Sequence, residues 1–158
     1  MGKYTAAVRD RLVLPARVLL TQGQDRSIRL AGRSVPGGVA VQLLIDTGSG
    51  RSTLVPSVIA QLNPAFRDTV RVETSLGATK TPLFWVRLEF PGTGLAAVPE
   101  VAVARLGLPP SLQAFHGLIG RDLLRRWEWF LFEGRRGRFT IRDTLGGLFG
   151  WLRRWATM

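Results

Sequence analysis

The chain alternates between short apolar runs and polar or glycine-rich breaks, a pattern that predicts many short strands. A nearly continuous apolar run over 38–45 predicts a buried strand, and this run ends abruptly at Asp46. Another apolar run over 12–20 predicts a second strand. The segment 21–37 has a short apolar island at 28–30 between glycines and a proline, so we expect a turn, a short strand and a turn there.

The rest of the chain repeats this pattern and contains two expected hairpins. Strands over 69–74 and 81–90 flank a small polar segment and predict the first hairpin, and 127–132 with 138–141 predict the second. The other expected elements are a strand at 52–55, a helical turn at 56–62, a strand at 97–104, a proline-rich loop at 107–114, a short strand at 117–120 and a short helix at 121–126. Short strands with frequent turns predict an all-β fold, either a closed barrel or a sandwich.

The length of 158 residues favours one domain, and an apolar fraction of 46% is enough for a sizeable core. We expect a loose N-terminal arm at 1–11, the domain proper at 12–142 and a C-terminal tail at 143–158. The chain shows neither an apolar run long enough for a membrane span nor a secretory signal, so we expect a cytoplasmic protein.

The net charge and the rare residue types limit which binding partners and metal sites the chain can have. The chain has 22 basic and 11 acidic residues, a net charge of +11. Nucleic-acid binding would explain this excess, but the basic residues are scattered and aromatic residues do not alternate with them, so no specific nucleic-acid partner is expected. With no cysteine and one histidine, His116, disulfides and cysteine or multi-histidine metal sites are excluded, and we expect no metal or cofactor.

The candidate chemistry lies in Asp46-Thr47-Gly48, directly after the predicted buried strand. A carboxylate at the end of such a strand is costly to bury without partners. One interpretation is a strand that ends in a turn, with Asp46 bonding its own backbone. The other interpretation is a catalytic carboxylate, and the motif alone does not decide between them.

A second motif changes this balance. Gly117-Leu118-Ile119-Gly120-Arg121 places two apolar residues between glycines, ahead of a short predicted helix. The Asp46 motif, the first hairpin and this second motif, in this order, make the chain similar to the retropepsin-like aspartic proteases over roughly residues 12–142. The resemblance implies a single-domain closed β-barrel or sandwich with a flap hairpin and one short C-terminal helix, assembled as a C2 homodimer. It also implies an endopeptidase in which water is activated between two Asp46 carboxylates, one from each subunit, and which acts on peptides or proteins.

The resemblance also assigns roles around the motifs. Thr47 would link the two active-site loops across the symmetry axis, and Gly48 would let the backbone turn tightly and approach substrate. The Ser49 hydroxyl either bonds the Asp46 carboxylate, which would favour an acidic pH optimum, or belongs to a simple turn. The flap tip would consist of Leu76, Gly77 and Ala78, and the pocket or structural positions would be His116, Leu118, Ile119, Gly120 and Arg121. For His116 alone, a loop residue without a role is the competing interpretation.

The chain departs from the family pattern directly after the first motif. Gly50 and Arg51 occupy the region where the viral enzymes commonly carry an acidic residue that pairs with the arginine of the second motif. The partner of Arg121 is therefore open among Asp122, another acidic residue and a main-chain carbonyl.

Two further functions and the role of the tail also stay open at this point. The same fold could serve as a catalytically weak or inactive dimeric binding module, or the basic chain could bind a membrane surface or nucleic acid. In the tail, apolar residues recur at helical spacing over 145–158, although three glycines weaken the predicted helix. That segment could dock on the domain, bind a partner, or make a weak peripheral contact with an anionic membrane.

Overall fold

A computed structural model describes residues 2–8, 11–74 and 77–143, and nearly half of these residues are in strands. The strands are β1 (Gly2–Ala7), β2 (Val13–Leu19), β3 (Val39–Ile45), β4 (Thr53–Leu54), β5 (Phe66–Thr74), β6 (Gly77–Glu89), β7 (Val98–Arg105), β8 (Gly117–Ile119), β9 (Trp129–Glu133) and β10 (Arg138–Asp143). The helices are α1 (Gln22–Leu30), α2 (Pro56–Leu62) and α3 (Arg121–Leu124), and 3-10 turns cover Pro110–Leu112 and Gly134–Arg136. The predicted single, mainly β domain is confirmed.

The larger sheet closes on itself. Its strand order is β2-β3-β8-β4-β7-β6-β5, and β2 also pairs with β6 through Arg17–Leu19. Six strands therefore form a closed ring, with β5 attached outside it along β6. Closure removes most exposed sheet edges, and it decides between the two predicted architectures in favour of the barrel.

The interior of the ring is apolar because alternate side chains of each strand point inward. Leu14, Val18, Val86 and Ile119 are each fully buried there. Helix α2 adds Val58, Ile59 and Leu62 to the same core. Each buried side chain of this size contributes about 1.5–3 kcal/mol relative to an exposed one, so the barrel is a firm base for the loops at its ends.

Helix α1 replaces the turn, strand and turn predicted for 21–37, so that prediction was wrong. The Thr21 hydroxyl caps the helix by accepting the Gln24 main-chain N–H at 3.4 Å. Asp25 and Arg29 form an ion pair one helical turn apart. The helix has only two large apolar residues, Ile28 and Leu30, so its sequence shows no strong apolar stripe from which a helix could be predicted. None of its residues is fully buried.

The expected loose arm at 1–11 is also corrected, because residues 2–7 form strand β1. The strand pairs along its whole length with β10 in an antiparallel register. The hydroxyl oxygens of Thr5 and Thr140 lie 3.0 Å apart, and the rings of Tyr4 and Phe139 meet edge to face at 5.9 Å. With β9 on the other side of β10, the second predicted hairpin becomes part of a three-stranded sheet.

The predicted amphipathic tail at 145–158 lies outside the described residues. Within the described part of the chain, no helix is both long enough and apolar enough to cross a membrane.

Candidate active site

The barrel brings the two sequence motifs together at one end. Strands β3 and β8 run parallel, with Leu43–Ile45 paired to Gly117–Ile119. The pairing continues one residue further, because the Asp46 N–H donates to the Ile119 carbonyl at 2.9 Å. The loop at 46–52, which we call the active-site loop, therefore leaves the barrel beside the start of α3.

The Asp46 carboxylate is half-buried and oriented by its own loop. Its Oδ1 accepts the main-chain N–H of Gly48 at 2.9 Å and that of Ser49 at 3.3 Å. No described group donates a hydrogen bond to Oδ2 of Asp46. The predicted turn in which Asp46 bonds its own backbone is thus present. It leaves one carboxylate oxygen, Oδ2, available for chemistry.

The absence of a side chain at Gly48 leaves room for the Asp46 carboxylate. A Cβ built on Gly48 would lie 3.2 Å from Oδ1 of Asp46 and would crowd the carboxylate. Thr47 is exposed beside it, and its predicted role across a symmetry axis involves a second copy of the chain.

The Ser49 hydroxyl does not bond the Asp46 carboxylate, which corrects the first of its two expected roles. It donates to the Arg51 carbonyl at 2.7 Å, and its oxygen lies 3.4 Å from the Arg51 main-chain N–H. The contact between Ser49 and Asp46 is made by the Ser49 main chain instead. The hydroxyl therefore shapes the loop and does not act on the carboxylate.

Arg121 contacts main-chain carbonyls, which decides among its three possible partners. Its Nη1 donates to the Thr47 carbonyl at 3.2 Å and to the Gly48 carbonyl at 3.4 Å. The guanidinium thus holds the outer turn of the active-site loop, and Asp122 is engaged elsewhere.

Asp122 and Ser52 form a link that sequence reasoning missed. The Asp122 carboxylate accepts the Ser52 hydroxyl at 2.7 Å and the Ser52 main-chain N–H at 2.9 Å. It also accepts the Leu123 N–H at 2.8 Å, while the Ser52 oxygen accepts the Gly120 N–H at 3.0 Å. A Cβ on Gly120 would lie 2.5 Å from the Arg51 carbonyl carbon, so only glycine allows this close approach. Both ends of the active-site loop are therefore fixed.

A cleft of about 820 Å³ opens above Asp46, within the usual range for ligand sites. The barrel floor, the distal part of the β5–β6 hairpin and the loop after β7 all line it. The lining residues are Asp46, Gly48, Ser49, Thr53, Val72, Glu73, Gly77, Ala78, Thr79, Leu106, Gly107, Leu108, Pro109, Leu112 and Leu118.

The predicted site residues divide into two groups. Gly77, Ala78 and Leu118 line the cleft, whereas Leu76 lies outside the described residues. The other predicted pocket or structural residues do not line it: Ile119 is fully buried in the barrel, Gly120 and Arg121 support the active-site loop, and His116 accepts the Gln42 N–H on its Nδ1 at 3.1 Å. His116 is thus a loop residue with a structural partner and does not line the cleft.

Sequence reasoning also missed the far wall of the cleft. The loop over 106–112 lines it, although its proline-rich composition indicated only a loop. Val72 and Glu73 lie on the first strand of the hairpin, whereas the prediction concerned only its tip. In the part of the chain that the structure describes, no three acidic or histidine side chains group as a metal site would require.

Comparison with solved structures decides the fold. The chain is similar to the crystal structure of a retropepsin-like aspartic protease from Rickettsia conorii, with a TM-score of 0.60 and 14% identity over 90% of this chain and 91% of that chain. The chain has a retropepsin-like fold. The retropepsin-like fold is also evident in a similarity to EIAV protease complexed with the inhibitor HBY-793, with a TM-score of 0.50 and 15% identity over 74% of this chain and 88% of that chain. Neither the protein-family models nor the curated proteins include a match to this chain.

Proposed function

We propose that the protein is an aspartic endopeptidase whose active form is a C2 homodimer with Asp46 of each subunit at the axis. The observation that carries this proposal is the Asp46 carboxylate at the floor of the cleft, oriented by two main-chain N–H groups and reached from solvent. The retropepsin-like fold supports it, since both similar structures are proteases by name.

The proposed dimer brings together two carboxylates, one Asp46 from each subunit, and the mechanism needs both. Two carboxylates in contact cannot both ionise, and the sharing of one proton between them is long established for aspartic proteases in general. The ionised member accepts a proton from water as the water oxygen bonds to the scissile carbonyl carbon. The protonated member donates its proton to the carbonyl oxygen. As the tetrahedral intermediate collapses and the C–N bond breaks, the carboxyl that took the proton from water gives it to the leaving nitrogen. The other carboxylate takes back a hydroxyl proton of the intermediate, so the pair again holds one proton.

In this proposal the other site residues position the reacting groups. Arg121 and the link between Asp122 and Ser52 hold the active-site loop, and Thr47 joins the loops of the two subunits. Gly77 and Ala78 of the hairpin cover the bound peptide. Leu118 contributes to the apolar wall against which substrate side chains pack.

The decisive experiment replaces Asp46 with asparagine, which is nearly isosteric but cannot act as a base. We expect Asp46→Asn to lower peptide cleavage by roughly three orders of magnitude, with thermal stability and dimer content unchanged or higher because the negative charge that the carboxylate pair would bury in the dimer is removed. Cleavage of a peptide library is followed by mass spectrometry, and dimer content by sedimentation. Asp68→Asn is the matched control, since Asp68 is exposed and lies outside the cleft lining.

Mixing the two proteins tests whether the site is shared. If each active site needs Asp46 from both subunits, an excess of the Asp46→Asn protein inhibits the wild type by forming mixed dimers. At a threefold excess, random exchange leaves roughly a quarter of wild-type chains paired with each other. Undiminished wild-type activity after exchange, or cleavage by purified Asp46→Asn, would contradict the proposal. A non-catalytic binding module of the same fold would then be favoured.

A further inference from the structure

The cleft differs in charge from the chain as a whole. Two charged residues are among those that line it, Asp46 and Glu73, and both are acidic. The whole chain has 22 basic and 11 acidic residues. A cleft lined by one sign of charge concentrates ligand groups of the opposite sign.

Glu73 differs from most other acidic residues because its carboxylate is not engaged. The sequence has 11 acidic residues, and all but Asp10 lie in the described part of the chain. Eight of these accept a hydrogen bond or an ion pair from a described group, namely Asp25, Asp46, Asp68, Glu89, Asp122, Glu128, Glu133 and Asp143. Among the described residues, no such partner is found for the side chains of Glu73 and Glu100, and Glu100 lies on β7 outside the cleft lining.

The position of Glu73 on the hairpin brings its charge to the wall of the cleft. Glu73 pairs across the hairpin with Ala78, and both residues line the cleft. The neighbouring Val72 is half-buried and lines the same wall. The nearest basic residues along these strands, Arg71 and Lys80, pair with each other across the ladder, and among the described residues neither forms an ion pair with Glu73. The carboxylate is therefore available to a cationic group of a ligand.

We propose that Glu73 determines specificity, and that the substrates are peptides with a lysine or arginine in the segment bound beneath the hairpin. This inference rests on the proposed proteolytic function. Apolar lining residues such as Leu108 and Leu112 accept uncharged side chains, and the single carboxylate outside the catalytic position selects one positive charge. Because Glu73 is exposed, its effect is that of a surface ion pair, about three- to fivefold in kcat/KM.

The experiment begins with cleavage of a diverse peptide library by the wild-type dimer, which identifies any position at which basic residues are enriched. Matched peptides with lysine, glutamine or glutamate at that position are then compared. We expect the lysine peptide to exceed the glutamine peptide by about three- to fivefold, mainly through KM, and this ratio to shrink as salt is raised. Glu73→Gln should bring the ratio close to one, and Glu73→Lys should make the glutamate peptide the better substrate. Glu100→Gln makes the same charge change elsewhere and should preserve the wild-type ratio.

The possible outcomes separate this inference from the function on which it rests. Absence of cleavage of every peptide by the wild type would contradict the proposed function itself. Cleavage without enrichment of basic residues, or enrichment that persists in Glu73→Gln, would contradict the role of Glu73 and leave the proposed function intact. Loss of cleavage of the glutamine peptide in Glu73→Gln would also overturn the inference, because Glu73 would then belong to the catalytic machinery.

Discussion

The floor of the cleft and the hairpin that lines it are built in opposite ways. The active-site loop is bound to β8 and α3 by Arg121, by the link between Asp122 and Ser52, and by the Arg121 N–H, which donates to the Ser49 carbonyl at 2.9 Å. The hairpin arm, which we define as residues 70–74 and 77–80, pairs only with itself among the described residues. Most of its side chains are exposed.

This difference matches the two tasks that the proposed function requires. A catalytic carboxylate must be held in one geometry, and supporting hydrogen bonds provide that. A cover must admit and release a substrate, which requires a segment of low local stability. The contrast supports the proposal that the chemistry takes place at the floor and that the arm selects the substrate, and three measurements test it.

Hydrogen exchange should show the largest contrast. The main-chain N–H groups of Asp46, Gly120 and Arg121 all donate to partners in the floor. We expect them to exchange at least about 100-fold more slowly than the N–H groups of Thr79 and Lys80 in the arm, because the arm can open without unfolding the barrel. The measurement is residue-resolved exchange on the substrate-free protein, with Val86 in the core as the reference. Equal protection of floor and arm would remove the contrast.

Loss of the Asp122 carboxylate should give the next largest effect. Asp122→Ala removes the acceptor of the Ser52 hydroxyl and N–H, and Ser52 is buried. We expect the free energy of unfolding to fall by about 3 kcal/mol, as measured by urea denaturation at one protein concentration. Asp25→Ala, which breaks an exposed ion pair on α1, is the control and should cost less than about 1 kcal/mol. A similar cost for both variants would mean that the floor is not held as described.

The smallest effect is expected at Ser49. Ser49→Ala removes the hydrogen bond to the Arg51 carbonyl, so we expect a stability loss of about 1 kcal/mol. We also expect no displacement of the pH–rate profile, since the hydroxyl does not touch Asp46. An upward displacement of the acidic limb in Ser49→Ala would show that the hydroxyl bonds the carboxylate in the active dimer.

The strand and turn at Asp46 could be predicted from the sequence better than the contacts that hold the active-site loop in place, for a physical reason. The strand into Asp46 and the turn after it are local features, visible as an apolar run followed by small residues. The link between Ser52 and Asp122 spans 70 positions, and nothing in either neighbourhood specifies the other. The same holds for the loop over 106–112, which becomes a cleft wall only when the barrel closes.

Helix α1 shows a different limit of prediction from the sequence. Its local contacts are the Thr21 cap and the ion pair between Asp25 and Arg29, and its apolar content is low. The glycines and the proline around a short apolar island predicted the wrong element, although the cap and the spacing of that pair were visible in the sequence. The partner of the Ser49 hydroxyl stayed open between two alternatives in the sequence, because rotation about one side-chain bond decides it.

The pairing of β1 with β10 has a consequence for biosynthesis. Thr5 and its partner Thr140 are 135 positions apart, so β1 is made early and its neighbour in the sheet is made late. At roughly 5–20 residues per second, translation takes on the order of ten seconds or more between the two strands. During that interval β1 has no β10 to pair with, and the entropy of closing so long a loop slows the final pairing. The three-stranded sheet is therefore expected to assemble only after the barrel strands have been synthesised, which makes it the late-forming part of the molecule.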